Sequence, residues 1–105
     1  MFLEPGYVGC YSYSRYTPSN SLFDRLDSQG MTLRVCKNHC GHQAQHLYAA
    51  LYDGHVCYCG TRDFMLEMAK FRLPDAKCRD PCGGNDHEIC GGYNALSIYD
   101  GKRSI

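Results

Sequence analysis

The sequence contains no tryptophan, no excess of either charge, no apolar run of bilayer length and no Asn-x-Ser/Thr sequon. Each absence removes a class of function. Lysine plus arginine balances aspartate plus glutamate at 11 each, so there is no basic field to draw in a phosphate backbone, and no nucleic acid partner is expected. No stretch approaches the roughly 20 apolar residues needed to cross a bilayer, so no membrane span is expected in this segment. The N-terminus MFLEPGYVGC has neither the positive flank nor the apolar core of a signal peptide. Without a sequon, N-glycosylation is not expected. Without tryptophan, an aromatic surface has to come mainly from the nine tyrosines.

What the chain has in quantity is cysteine, eight in 105 residues. The even count and paired spacings read as a disulfide scaffold made in an oxidising, extracellular compartment. A chain of this length is expected to form a single domain (residues 1–105, core 7–99) with a modest core that cross-links would reinforce. The start at Met1 and the end at GKRSI, shortly after a final strand, are expected of a module cut from a larger extracellular protein.

The stretch Cys36 to Gly60 organises the rest. Cys36 and Cys40 are four apart, which puts both sulfurs on one face of a helix, and Cys57 and Cys59 are two apart, which puts both on one face of a strand. Two bridges between those faces would fix the distance and the rotation of the helix over the sheet. Spacing selects pair against pair and leaves the parallel and crossed pairings open.

Along the chain, YVGCYSY at 7–13 reads as a strand carrying Cys10, and 14–30 as a loop tethered by Leu22, Phe23 and Leu26. Thr32 is a fitting N-cap for a helix through about Gln45, with Met31 packing back as a staple and Leu33, Cys36, Cys40, Ala44 and Leu47 as the buried stripe. The capping box is incomplete because Val35 stands at its third position, and Gly41 weakens the helix by roughly 1 kcal/mol relative to alanine. YAALY and HVCYC, joined by Asp53-Gly54, read as a hairpin with a type I′ turn. Alternation sends Cys57 and Cys59 to one face of the second strand, Val56 and Tyr58 to the other. Phe64, Met68 and Phe71 sit at helical spacing in a second helix over 61–74, stopped by Pro74. Residues 78–92 read as loop throughout, with Cys82 and Cys90 closing a small ring, and ALSIY at 95–99 as the last strand.

GYVGCYS, MTLRVCKNHC, YAALYDGHVCYCG and CRDPCGGNDHEICGGYNALSIY, in this order, resemble a WSC domain from Tyr7 to Tyr99. The resemblance implies a small disulfide-rich α+β domain of PAN/apple-like type, with one main helix packed on an antiparallel sheet. It also implies four bridges: Cys10 with Cys78, Cys36 with Cys57, Cys40 with Cys59, and Cys82 with Cys90. The family carries carbohydrate-binding roles in fungal cell-wall sensors and wall-directed enzymes, and occurs in animal receptors that engage a protein partner. Ala50 stands where WSC domains often have glycine, and TRDFMLEMAKF is longer and more apolar than the usual connector.

Sugar sites set aromatic rings against the apolar faces of pyranoses, with amides and charged groups bonding the hydroxyls. Tyr13, Arg15 and Tyr16 in the first loop, Tyr52 and Asp53 at the hairpin, and Tyr93 with Asn94 before the last strand supply that mix. Tyrosines of a small cross-linked domain more often cover the sheet with the hydroxyl in water, and Tyr7, Tyr58 and Tyr99 are assigned to the core. His39, His42, His46 and His55 beside four cysteines raise zinc, but finger spacing is absent and complete disulfide pairing leaves no thiolate. The histidines read as a solvated face, and no metal or other cofactor is expected. Asp75, Asp80, Asp86 and Glu88 lie in turn-rich sequence with nothing to hold the separation a glycosidase needs, so no enzyme is expected. Asn85 and Asp86 are expected to bond their own backbone within the ring. The expected function is an extracellular module, secreted or in an ectodomain, that binds polysaccharide or glycan and localises its parent. The alternative is a protein-protein interaction module of a cell-surface receptor.

Overall fold

The computed structural model describes residues 6–14, 22–41 and 48–100. Its main sheet has six strands, all paired antiparallel, in the order Leu22–Asp27, Val56–Gly60, Tyr48–Tyr52, Ala95–Asp100, Tyr7–Ser12, Arg72–Leu73. In chain order these are β1 (Tyr7–Ser12), β2 (Leu22–Asp27), β3 (Tyr48–Tyr52), β4 (Val56–Gly60), β5 (Arg72–Leu73) and, after a separate β6–β7 ribbon (Pro81–Cys82, Asn85–Ile89), β8 (Ala95–Asp100). Helix α1 (Leu33–Gly41) covers one face and the shorter α2 (Arg62–Met68) lies on the other. This is the α+β, disulfide-rich architecture expected of the sequence.

Helix α1 begins as its residues require. The Thr32 hydroxyl accepts the Val35 amide at 3.0 Å, and Met31 is buried in the same cluster as Leu33, Cys36 and Cys40. A carboxylate from across the domain serves another free amide of the first turn: Glu88 on β7 accepts the Leu33 amide at 3.1 Å. Ala44 and Leu47 lie outside the described residues, as does the expected end of the helix at Gln45.

All eight cysteines are paired, in the connectivity that the resemblance implied. Matching rises let both staples close at once. Four residues of helix advance about 6 Å and two of strand about 6.6 Å, so a helix running with β4 brings Cys36 to Cys57 and Cys40 to Cys59 in register. The Cα pairs are 5.6 and 5.5 Å apart, both ordinary bridging distances.

Three segments differ from expectation. Residues Leu22–Asp27, read as loop, form edge strand β2, because Phe23 and Leu26 pack on the helix-side core and the backbone pairs with β4. The 61–74 helix stops at Met68, passes through a 3-10 turn (Ala69–Phe71) and ends as β5. Pro74 favours extended backbone before it, which lets Arg72 and Leu73 pair with Tyr11 and Cys10. Residues 78–92 are not all loop: β6 and β7 pair across the Gly83-Gly84 turn inside the ring closed by Cys82 and Cys90. The central hairpin is as expected, except that Tyr52 pairs with Val56 and leaves a three-residue connection, with Asp53 and Gly54 at φ 57° and 81°.

Candidate functional site

The face of the sheet opposite α1 is covered unevenly. Thr61 caps α2 by accepting the Phe64 amide at 3.2 Å, and this sets the Phe64 ring directly over Gly60, where a Cβ would lie 2.6 Å from the ring. Phe64 and Met68 are fully buried with Ala50, Leu96 and Ile98. At the end nearer the β3–β4 hairpin loop the cover consists of tyrosines.

Tyr52 on β3 and Tyr58 on β4 point to this face by strand alternation, and Tyr13, just past β1, lies against both. The Tyr13 and Tyr52 rings meet edge to face at 4.7 Å, and the Tyr13 hydroxyl donates to that of Tyr58 at 3.3 Å. A two-residue turn adds the fourth ring. Gly92 and Ala95 exchange backbone bonds at 3.0 and 3.1 Å, leaving Tyr93 and Asn94 at the corners, and Asn94 takes the φ of 49° that asparagine tolerates. The Tyr13 amide donates to the Asn94 carbonyl at 2.8 Å, which holds the turn beside this ring pair. Tyr93 itself is 89% exposed.

Burial, then the hydrogen bond with Tyr58, pushes the Tyr13 phenol up to about 12. Burial, then the neighbouring Asp53 carboxylate, also raises Tyr52. Both therefore stay neutral at physiological pH, offering hydroxyls rather than charges. Charged groups rim the face. Arg25 on β2 lies by the Tyr58 hydroxyl, whose hydrogen bond raises the guanidinium pKa, and it pairs with Asp27 at 3.3 Å. Nδ1 of His55 lies 2.6 Å from Asp27 and its Nε2 3.4 Å from Asp53. Hydrogen bonding from His55, helped by its charge and that of Arg25, holds the Asp27 carboxyl below its usual range.

Of the residues singled out from sequence, Tyr13, Tyr52, Asp53, Tyr93 and Asn94 are thus gathered at one end of one face. Arg15 and Tyr16 lie outside the described residues. Sequence reasoning missed Arg25 and placed Tyr58 fully in the core, whereas it is half-buried against the Phe64 and Met68 cluster with its hydroxyl bonded by Tyr13. Tyr99 is buried as expected, with its hydroxyl on the Ile89 carbonyl at 3.1 Å. Tyr7 is half-buried and donates to Asp75 at 2.6 Å. His39 is half-buried, its Nε2 2.7 Å from the Asp24 carbonyl, and so is not part of a free solvated face; His42 and His46 lie outside the described residues. Among the acids, Asp75 is engaged by Tyr7 and Glu88 by the start of α1. Asn85 accepts the His87 amide at 3.0 Å, the local turn expected of it. The one grouping of metal-ligating atoms found among the described residues is Cys36, Cys40 and Cys57, whose sulfurs are already in disulfides.

The family model of the WSC domain matches residues 7–92. The chain belongs to the WSC domain family. Xylosyltransferase sqv-6 of Caenorhabditis elegans is 40% identical over 95 residues, covering 88% of this chain and 11% of that protein. Xylosyltransferase oxt of Drosophila pseudoobscura pseudoobscura is 35% identical over 78 residues, covering 74% of this chain and 8% of the relative. Kremen protein 2 of Homo sapiens is 31% identical over 97 residues, covering 91% and 20%. This WSC domain therefore spans a fifth or less of the length of these three relatives. No helix among its described residues is long and apolar enough to cross a membrane.

Proposed function

We propose that this WSC domain is a non-catalytic glycan-binding module that works outside the cell or in a lumenal compartment and localises its parent protein on polysaccharide. The observation that carries the reading is the tyrosine face itself: an almost fully exposed Tyr93 beside the edge-to-face rings of Tyr13 and Tyr52, with hydroxyls, Asn94, Asp53 and Arg25 around it. Rings of this kind cover the apolar side of a pyranose while the rim bonds its hydroxyls. Two of the relatives are xylosyltransferases by name, and a domain filling about a tenth of such a chain suits an accessory sugar-holding part. The platform is shallow, so a single domain is expected to bind with Kd between about 1 μM and 1 mM, and useful retention would come from repetition in the parent.

The test is retention of the oxidised domain on insoluble glucan, chitin and xylan, with a reduced and alkylated sample as control. Retention is expected on at least one polymer, lost on reduction, and lowered about tenfold or more in affinity when Tyr52 and Tyr93 are both replaced by Ala. A second reading draws on Kremen protein 2: the same tyrosines would serve as a hot-spot patch for a protein partner. Absence of retention on every polymer would favour that reading over the first.

A further inference from the structure

Strand β2 contains a defect that is informative. Phe23 pairs with Cys59 and Leu26 with Cys57, so Asp24 and Arg25 together stand opposite the single residue Tyr58. Two residues against one is a β-bulge, and Asp24 sits in the left-handed region at φ 53°, a conformation that disfavours any residue with a side chain. The strained carbonyl is held from the other side by His39 on α1, 2.7 Å away.

The consequence for the side chains follows from counting. In a regular strand Phe23 and Leu26, three apart, would face opposite ways. The extra residue lets both pack into the helix-side core, and it turns Arg25 toward the opposite face, alongside Tyr58. Asp27, 3.3 Å away, and the Tyr58 hydroxyl then steady the guanidinium on that face, and these two partners engage only part of its fork of N–H donors. Arg25 is 54% exposed there.

We infer that the Asp24–Arg25 bulge is a positioning device that carries Arg25 onto the tyrosine face, where its planar fork is a ligand-contacting group that receives a pair of neighbouring sugar hydroxyls. The inference rests on the glycan-binding reading and adds to it a specificity-determining residue on a strand that supplied none of the site from sequence. A planar fork meets two oxygens at fixed spacing, which a lysine ammonium does not reproduce.

The experiment measures oligosaccharide affinity, by NMR titration with the soluble fragment of whichever polymer retains the wild type. It is run on R25Q, R25K, D24G and a Tyr93→Ala control, with thermal unfolding of each. Both R25Q and R25K are expected to lose about tenfold in affinity with an unchanged unfolding midpoint, since a charged donor has been removed or its geometry lost at an exposed site. D24G, which keeps the left-handed backbone, is expected to bind as wild type. If R25Q and R25K bind as wild type while Tyr93→Ala loses binding, the platform reading stands and the role of Arg25 is overturned. If R25K alone binds as wild type, charge rather than the fork is what matters, and the inference is likewise overturned. If wild type is retained on no polymer, the platform reading fails and the inference with it.

Discussion

Replacing Cys36, Cys40, Cys57 and Cys59 together by Ala is expected to cost about 5 kcal/mol, more than twice the roughly 2 kcal/mol expected for losing either bridge alone. The bridges interleave along the chain, with separations of 21 and 19 residues. In the chain-entropy account, the first of them to close restricts the unfolded chain by about 3 kcal/mol. With one closed, the other ring runs through it: four residues from 36 to 40 plus two from 57 to 59 leave about six, for which the same account gives about 2 kcal/mol. Against a total stability of about 5–15 kcal/mol for a domain, one loss is tolerable and two remove between a third and the whole of it. Urea unfolding of the two double-Ala variants and the quadruple variant measures this. Costs that simply add would show that the two staples do not share a ring in the unfolded state.

Phe64→Ala is expected to destabilise by about 4 kcal/mol, the cost of emptying a fully buried aromatic site whose surroundings collapse only in part. The floor of that site is the backbone at Gly60, which cannot rise to fill it without breaking pairs to both β2 and β3. Because α2 has seven residues, little holds it except Phe64 and Met68. Amide exchange should therefore rise across residues 61–71 before it rises in α1, which is pinned by two disulfides. A loss below about 1 kcal/mol would mean that the α2 side of the sheet is not a sealed core.

How far the sequence could be read depended on whether a rigid periodicity was present. Helix and strand repeats are fixed numbers, so the spacing of Cys36, Cys40, Cys57 and Cys59 revealed the central joint. The direction of pairing needed the further fact that the helix runs with β4. Strand β2 was missed because the bulge at Asp24–Arg25 breaks the alternation by which a strand is recognised. Strand β7 was missed because Asn-Asp-His-Glu has little strand propensity; the ribbon is held by the Cys82–Cys90 bridge and a glycine turn whose Gly84 amide bonds the Met31 carbonyl at 2.7 Å.

The site was legible in the same measure. Tyr13, Tyr52, Tyr93 and Asn94 stand out by type and by their places at the ends of strands, and the fold brings them together. Tyr58 was assigned wholly to the core because alternation gives the face a side chain points to, not how deeply it is buried there. Arg25 was out of reach, since only the register of β2 against β4 turns it onto that face.

The most direct test of the central claim is to map bound sugar on the surface by NMR, titrating the ¹⁵N-labelled oxidised domain with soluble gluco-, chito- and xylo-oligosaccharides to millimolar concentration. Shifts are expected at Tyr13, Tyr52, Tyr58, Tyr93 and Arg25, with the exposed side of α1 around Arg34 and Asn38 silent. Shifts confined to α1, or none with any sugar, would contradict the account and leave the tyrosine face without a glycan to hold.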